Sequence, residues 1–195
     1  VDGIDEDVTV QAYADLDGDG YGAGGLVDVC ENTVSNGNTV LVQALQIADY
    51  AITGAWSNYD AYTITHSWAF NTDVDRAIIN VDLTAQTTAE LTWEDFASYS
   101  PDTDISDVEV STDGGSTWTT EFVGAGNLVG AWTARSVDLS SYVGSAIQIS
   151  FTYSGYNANS WYIFNAVVTG DETFSTVLPT GYVADGTDCD DTDAS

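Results

Sequence analysis

From about Val40 onward, apolar and polar residues alternate in short runs separated by turn signals. Ile147, Ile149, Phe151 and Tyr153 fall on one face of an extended segment, with Gln148, Ser150 and Thr152 on the other. Ile79, Val81 and Leu83 alternate with Asn80 and Asp82 in the same way. A period of two with one wet face predicts antiparallel strands whose dry faces pack together. The pattern predicts strands over Thr39–Ile47, Tyr62–Phe70, Ala77–Leu83, Ala89–Phe96, Ile105–Ser111, Trp118–Val123, Thr133–Leu139, Ala146–Tyr153 and Trp161–Thr169. Nine strands suit an all-β, antiparallel β-sandwich of the jelly-roll kind better than a small immunoglobulin sandwich. The ambiguous segment is Val40–Ile47, where Leu41, Ala44, Leu45 and Ala48 also fit a helical stripe.

The flanks differ. Residues 1–35 are acidic and Gly-rich, with one short strand over Val8–Tyr13, and the acidic character returns after Gly170. The predicted organisation is therefore a jelly-roll sandwich, residues 36–170, inserted in a small split acidic module, residues 1–35 and 171–195. Close chain ends are what make such an insertion feasible.

Within the first flank, Asp15-Leu16-Asp17-Gly18-Asp19-Gly20-Tyr21-Gly22 places carboxylates at alternate positions around glycines. That is the front half of an oxygen-rich calcium loop: Asp15, Asp17 and Asp19 supply carboxylates, and Tyr21 falls where such loops offer a backbone carbonyl. An EF-hand would end with Glu at the twelfth loop position; here it is Leu26, so further oxygens must come from elsewhere. Asp188, Asp190 and Asp191 are the candidate donors, and Asp2, Asp5 and Asp7 are candidates too, against the alternative that they form a solvated arm.

Composition sharpens this picture. The chain has 31 acidic residues against Arg76 and Arg135, a net charge of -29, yet 44% of its residues are hydrophobic. That is enough apolar content for a core, and enough charge to oppose compaction unless counter-ions bind. Nucleic acid and anionic membrane are excluded as direct partners, since both require basic residues. Calcium suits clustered carboxylates better than magnesium, and a single His argues against zinc. Cys30 and Cys189 are each other's only possible partners; alongside an Asp-rich loop they predict a disulfide and a secreted, extracellular setting, the alternative being two free thiols. Closing a loop of about 160 residues stabilises by roughly 5 kcal/mol at most in the chain-entropy account. No signal peptide or membrane-spanning run is present, and Val1-Asp2-Gly3 does not read as a translation start, so a mature fragment or one unit of a longer protein is expected.

Tyr13 through Gly22, then Gly181-Tyr182-Val183 and Asp188-Cys189-Asp190-Asp191, resemble the calcium-binding repeats of large bacterial surface proteins, relatives of thrombospondin type 3 repeats. Asp2 to Asp7 resembles the acidic linker between such repeats. The departure is the long insertion between the two halves. Ile105–Trp118 and Ser160–Val168 resemble the jelly-roll modules of secreted bacterial adhesins, which usually carry Asp where this chain has Phe164. Ser111, Asp113, Gly115, Thr117 and Trp118 fit an Asp-box, a hairpin turn in which Asp accepts turn N–H bonds over a packed Trp. These resemblances imply a calcium-dependent structural subunit of a filament, stalk or adhesin that associates with other copies of itself head-to-tail, or with adjacent repeats.

The competing reading is a carbohydrate-binding module, with glycans as partners. Trp56, Tyr59, Tyr62, Tyr99, Tyr153 and Tyr156 lie in or near predicted loops, where exposed rings can stack on sugars. Trp93, Trp118, Trp132 and Trp161 fall on or beside strands, where core packing is the default. No catalytic residues are assigned: His66 is a lone strand histidine, and pairs such as Glu90 with Glu94 carry no signal among so many acids.

Overall fold

The computed structural model describes residues 9–30, 32–66, 71–97, 105–124, 130–155 and 160–184. Its strands in chain order are β1 (Thr9–Ala14), β2 (Ala23–Cys30), β3 (Asn32–Ala44), β4 (Ala51–Thr53), β5 (Trp56–Asn58), β6 (Thr63–His66), β7 (Asn71–Asp82), β8 (Glu90–Ala97), β9 (Ile105–Ser111), β10 (Thr119–Phe122), β11 (Thr133–Asp138), β12 (Ala146–Gly155), β13 (Trp161–Val177) and β14 (Tyr182–Val183). Helical structure among the described residues is limited to two single 3₁₀ turns, Ile47–Asp49 and Ser140–Tyr142. Two units can be distinguished, residues 38–171 and residues 1–37 with 172–195.

Alternation builds the larger unit. One sheet runs β10-β9-β12-β7-β4 and the other β11-β8-β13-β6-β5, with β3 against β13. Ile79, Val81, Val108, Val110, Ile149 and Phe151 turn inward from the first sheet; Ile64, Leu91, Trp93, Trp161 and Ile163 turn inward from the second. Phe151 meets Trp93 and Trp161 edge-on, with ring centroids 5.7 and 5.8 Å away. This is an antiparallel, all-β jelly-roll sandwich, as the alternation predicts.

Strand limits differ where alternation is weak. The first sandwich strand begins at Asn32 rather than Thr39 and ends at Ala44 rather than Ile47. It ends there because the Asp49 carboxylate accepts N–H bonds from Leu45 and Gln46, turning the chain into a 3₁₀ turn; no helix forms over Val40–Ile47. β6 begins at Thr63, and residues 67–70 of the strand expected there lie outside the described residues; β4 and β5, each three residues long, carry no period to read. The 111–118 turn is built as an Asp-box. Asp113 accepts bonds from the Thr117 N–H (2.9 Å) and hydroxyl (2.7 Å), which hold its carboxyl at about 2. Gly114 and Gly115 take positive φ, and Trp118 lies under the Arg76 guanidinium.

Two polar pairs interrupt the apolar interior. His66 Nε2 lies 2.8 Å from Asp75 Oδ2, its ring stacked on Tyr153 and edge-on to Trp56. Asp75 also accepts the Ala55 N–H, and a Cβ on Gly54 would fall 1.8 Å from the Asp75 carboxyl carbon. Burial holds the His66 pKa below its ordinary 6.5, with Asp75 opposing. His66 therefore contributes stability that is present above pH 6.5 and is lost as pH falls through its folded pKa, because the unfolded chain takes the proton first. Melting curves across this window are expected to fall less steeply with acidification for His66→Gln than for the parent chain. The second pair joins Arg135 Nε to Asp95 Oδ1 at 3.1 Å.

In the smaller unit a three-stranded sheet, β14-β1-β2, buries Ala12 and Val29. The segments before Asn38 and after Asp171 are joined by polar groups: Ser35 to Glu172, Ser175 to Asn36, and the Thr173 hydroxyl to the Gly37 carbonyl. The expected strand over Val8–Tyr13 is β1, and the acidic first flank contains a second strand, β2.

Candidate functional site

The outer face of the β11-β8-β13 sheet is ordered in cross-strand rows. Tyr162 pairs opposite Phe96, and Thr133 opposite Asp95, which places Trp132 one step further beside Phe96. The next row is Ala134, Glu94 and Phe164, with Thr63 opposite Phe164 on β6. Beyond a bulge come Ser136, Thr92 and Val167, then Asp138, Glu90 and Thr169. Asn165 sits at the bulge with φ 49, its N–H donating to the Tyr62 carbonyl and its side chain accepting from Gln43 at 2.7 Å. The face thus grades from aromatic rings to hydroxyls and carboxylates.

Tyr59 completes the aromatic end. The loop between β5 and β6 is closed by the Tyr59 N–H donating to the Thr63 carbonyl at 2.9 Å, and Tyr59 meets Tyr162 edge-on at 4.9 Å. Tyr162 lies 5.7 Å from Phe96, while Trp132 lies 5.9 Å from Phe96 and 6.1 Å from Phe164. Five rings form one outward-facing cluster, with Tyr59 63% and Trp132 49% exposed.

Three hollows open along this face. Tyr59, Phe96, Trp132 and Tyr162 surround about 250 Å³. Asp60, Thr63, Glu94, Trp132 and Phe164 border about 300 Å³. The third, about 450 Å³, runs past Glu90, Thr92, Glu94, Ser136 and Asn165. Trp132 borders the first two, and Glu94 and Phe164 border the last two, so the three join into one trough. Asp60 is held ionised by the Tyr62 N–H and by Thr63, which lower its pKa.

No protein-family model matches the chain, and no curated protein matches it. Among solved structures it is similar to the CBM22-1 xylan-binding domain of Paenibacillus barcinonensis, with 9% identity, 70% of this chain and 97% of that one covered, and a TM-score of 0.48. It is also similar to a family 11 carbohydrate-binding module of a cellulosomal cellulase from Clostridium thermocellum, with 10% identity, 84% and 96% covered, and a TM-score of 0.40. A family 30 carbohydrate-binding module gives 9% identity, 76% and 92% covered, and a TM-score of 0.43.

The acidic loop is the second candidate. Carboxylate oxygens of Asp15, Asp17 and Asp19 lie within 4.8 Å of one another. Asp15 accepts the Gly18 and Gly20 N–H groups at 2.7 and 3.3 Å, and Asp19 accepts the Tyr21 N–H at 2.9 Å. Gly18 and Gly20 take φ of 79° and 95°, which lets the loop curl around the three carboxylates. The Asp15 N–H donates to the Gly181 carbonyl at 2.9 Å, so Gly181 and β14 lie beside the loop. This donor set, all carboxylate oxygen, is of the kind calcium takes. Asp2, Asp5, Asp7, Asp188, Cys189, Asp190 and Asp191 lie outside the described residues, as does the Cys30 side chain, and with them the proposed disulfide.

Several aromatic expectations are corrected. Trp56 is buried, 6% exposed, because it pairs opposite His66 and faces inward against Trp161; Tyr153 is buried against His66. Trp132, expected in the core, is exposed. Tyr59 and Tyr62 are exposed as expected, and Trp93 and Trp161 are core. Tyr99 and Tyr156 lie outside the described residues. Phe164 belongs to the trough. Phe96 was not singled out as a surface ring, nor were Glu90 and Glu94 as trough carboxylates; the signal was their shared parity along β8.

Proposed function

We propose that the larger unit binds a polysaccharide chain along this trough. The observation that carries the reading is the five-ring cluster opening onto a groove of hydroxyls, amide and carboxylates across three neighbouring strands. A sugar offers an apolar C–H face to stack on rings and hydroxyls to bond to Glu94, Glu90, Thr92 and Asn165, and this groove supplies both in sequence. Exposed aromatic clusters of this kind mark binding surfaces. Retardation of the chain in gels containing soluble polysaccharide, set against a Trp132→Ala variant, tests it: retardation lost in the variant supports the reading, and equal migration of both overturns it.

A second role rests on the acidic loop. In this reading Asp15, Asp17 and Asp19, with the Tyr21 carbonyl and oxygens from Asp188, Asp190, Asp191 and the Asp2, Asp5 and Asp7 arm, hold calcium in a repeat of the thrombospondin type 3 kind. The unit then belongs to an extracellular assembly, joined head-to-tail to other copies or repeats. Bound calcium would neutralise carboxylates that otherwise repel, so its removal lowers stability. Calcium is expected to raise the melting temperature and EGTA to reverse it, with Asp17→Ala losing more of this effect than Asp28→Ala. Equal losses overturn the ligand assignment, and light scattering in calcium reads the assembly.

A further inference from the structure

We propose that the trough selects glycans carrying protonated amines over neutral ones; this rests on the polysaccharide reading above. The rings and the carboxylates occupy the same groove. Asp60 and Glu94 border the hollow that Trp132 and Phe164 also line, and Glu90 and Asp138 continue the acidic row beyond them. Glu94 and Glu90 are exposed and line the trough, so their charge is open to a ligand.

Among the described residues no ion pair joins a cation to Glu94 or Glu90. The chain has two basic residues. Arg76 lies on the other sheet, paired with Glu109 and covered by Trp118. Arg135 borders the trough but turns its guanidinium inward to Asp95 and the Phe122 ring. His66 is buried. A polyanionic glycan would therefore meet unopposed like charge, whereas an ammonium would meet a carboxylate and a ring face together, both attractive. A neutral sugar uses the rings and hydroxyls alone.

Calorimetry on the full chain tests this with three hexasaccharides of the same β-1,4 linkage: glucose, N-acetylglucosamine and glucosamine. The glucosamine oligomer is expected to bind about tenfold more tightly than the other two. That ratio should shrink between roughly 0.05 and 0.5 M salt as the charges are screened. Glu94→Gln should bring the ratio toward one, and the off-site charge control Asp28→Asn should leave it unchanged. Equal or tighter binding of the neutral oligomers, lost in Trp132→Ala, overturns the amine preference and leaves the polysaccharide reading standing. Amine binding that survives Trp132→Ala, or that falls equally in Asp28→Asn, is diffuse attraction to an acidic protein and also overturns it. Binding of none of the three overturns both.

Discussion

Trp132→Ala is expected to weaken glycan binding about thirtyfold, the roughly 2 kcal/mol typical of a central aromatic anchor. It should shift unfolding by less than about 1 kcal/mol, as surface substitutions do. The indole stands half exposed between Phe96 and Phe164 and borders two of the three hollows, so its removal deletes the shared wall without opening the core. Trp93→Ala gives the opposite signature. Trp93 faces inward against Phe122 and Phe151, and its loss should cost about 3–5 kcal/mol of stability. Calorimetric titration and thermal melts on both variants separate binding from folding. A Trp132 variant that binds normally would remove the ring cluster from the account.

Arg135→Ala is expected to be among the most destabilising single changes, by about 3 kcal/mol, because it strands a buried carboxylate. Asp95 is 1% exposed; burial raises its pKa, and Arg135, then the Trp93 indole N–H, pull it down. Burial already outweighs these partners and keeps the Asp95 pKa above its ordinary value, and without the guanidinium it rises further. The folded state then holds a proton that the unfolded state gives up, so the variant loses stability as pH rises through the folded Asp95 pKa and recovers part of it on acidification. Replacing both partners, Arg135→Met with Asp95→Leu, should restore most of the stability. Denaturant melts at several pH values check this; an Arg135→Ala loss that does not depend on pH would refute the stranded-carboxylate explanation.

Both residues illustrate where the sequence is readable. Leu91, Trp93 and Ala97 show the inward phase of β8, and Glu90, Thr92, Glu94 and Phe96 the outward phase. Asp95 breaks the rule, and only its partner forty positions away explains it; no local pattern carries that. Val137 on β11 and Leu139 just after it mark the inward parity, so Trp132, Ala134 and Ser136 point out; counting from those two residues would have placed Trp132 on the surface. Trp56 could not be read this way, since a three-residue strand has no period. The polar segments 32–38 and 172–177 also hide their strands, because exposed polar residues occur on both faces and Ser, Thr and Asn side chains bridge the two segments. The Asp-box turn was legible in full, since every bond that shapes it is local.

The polysaccharide reading is tested most directly by following the six Trp indole N–H signals in an NMR titration with neutral and amine-bearing hexasaccharides. The account predicts a saturable shift of the Trp132 signal, with backbone shifts at Glu94, Phe96, Tyr162 and Asn165, while the buried Trp56, Trp93 and Trp161 signals stay in place. Shifts confined to Trp118 on the opposite sheet, or no shift with any glycan, would contradict it.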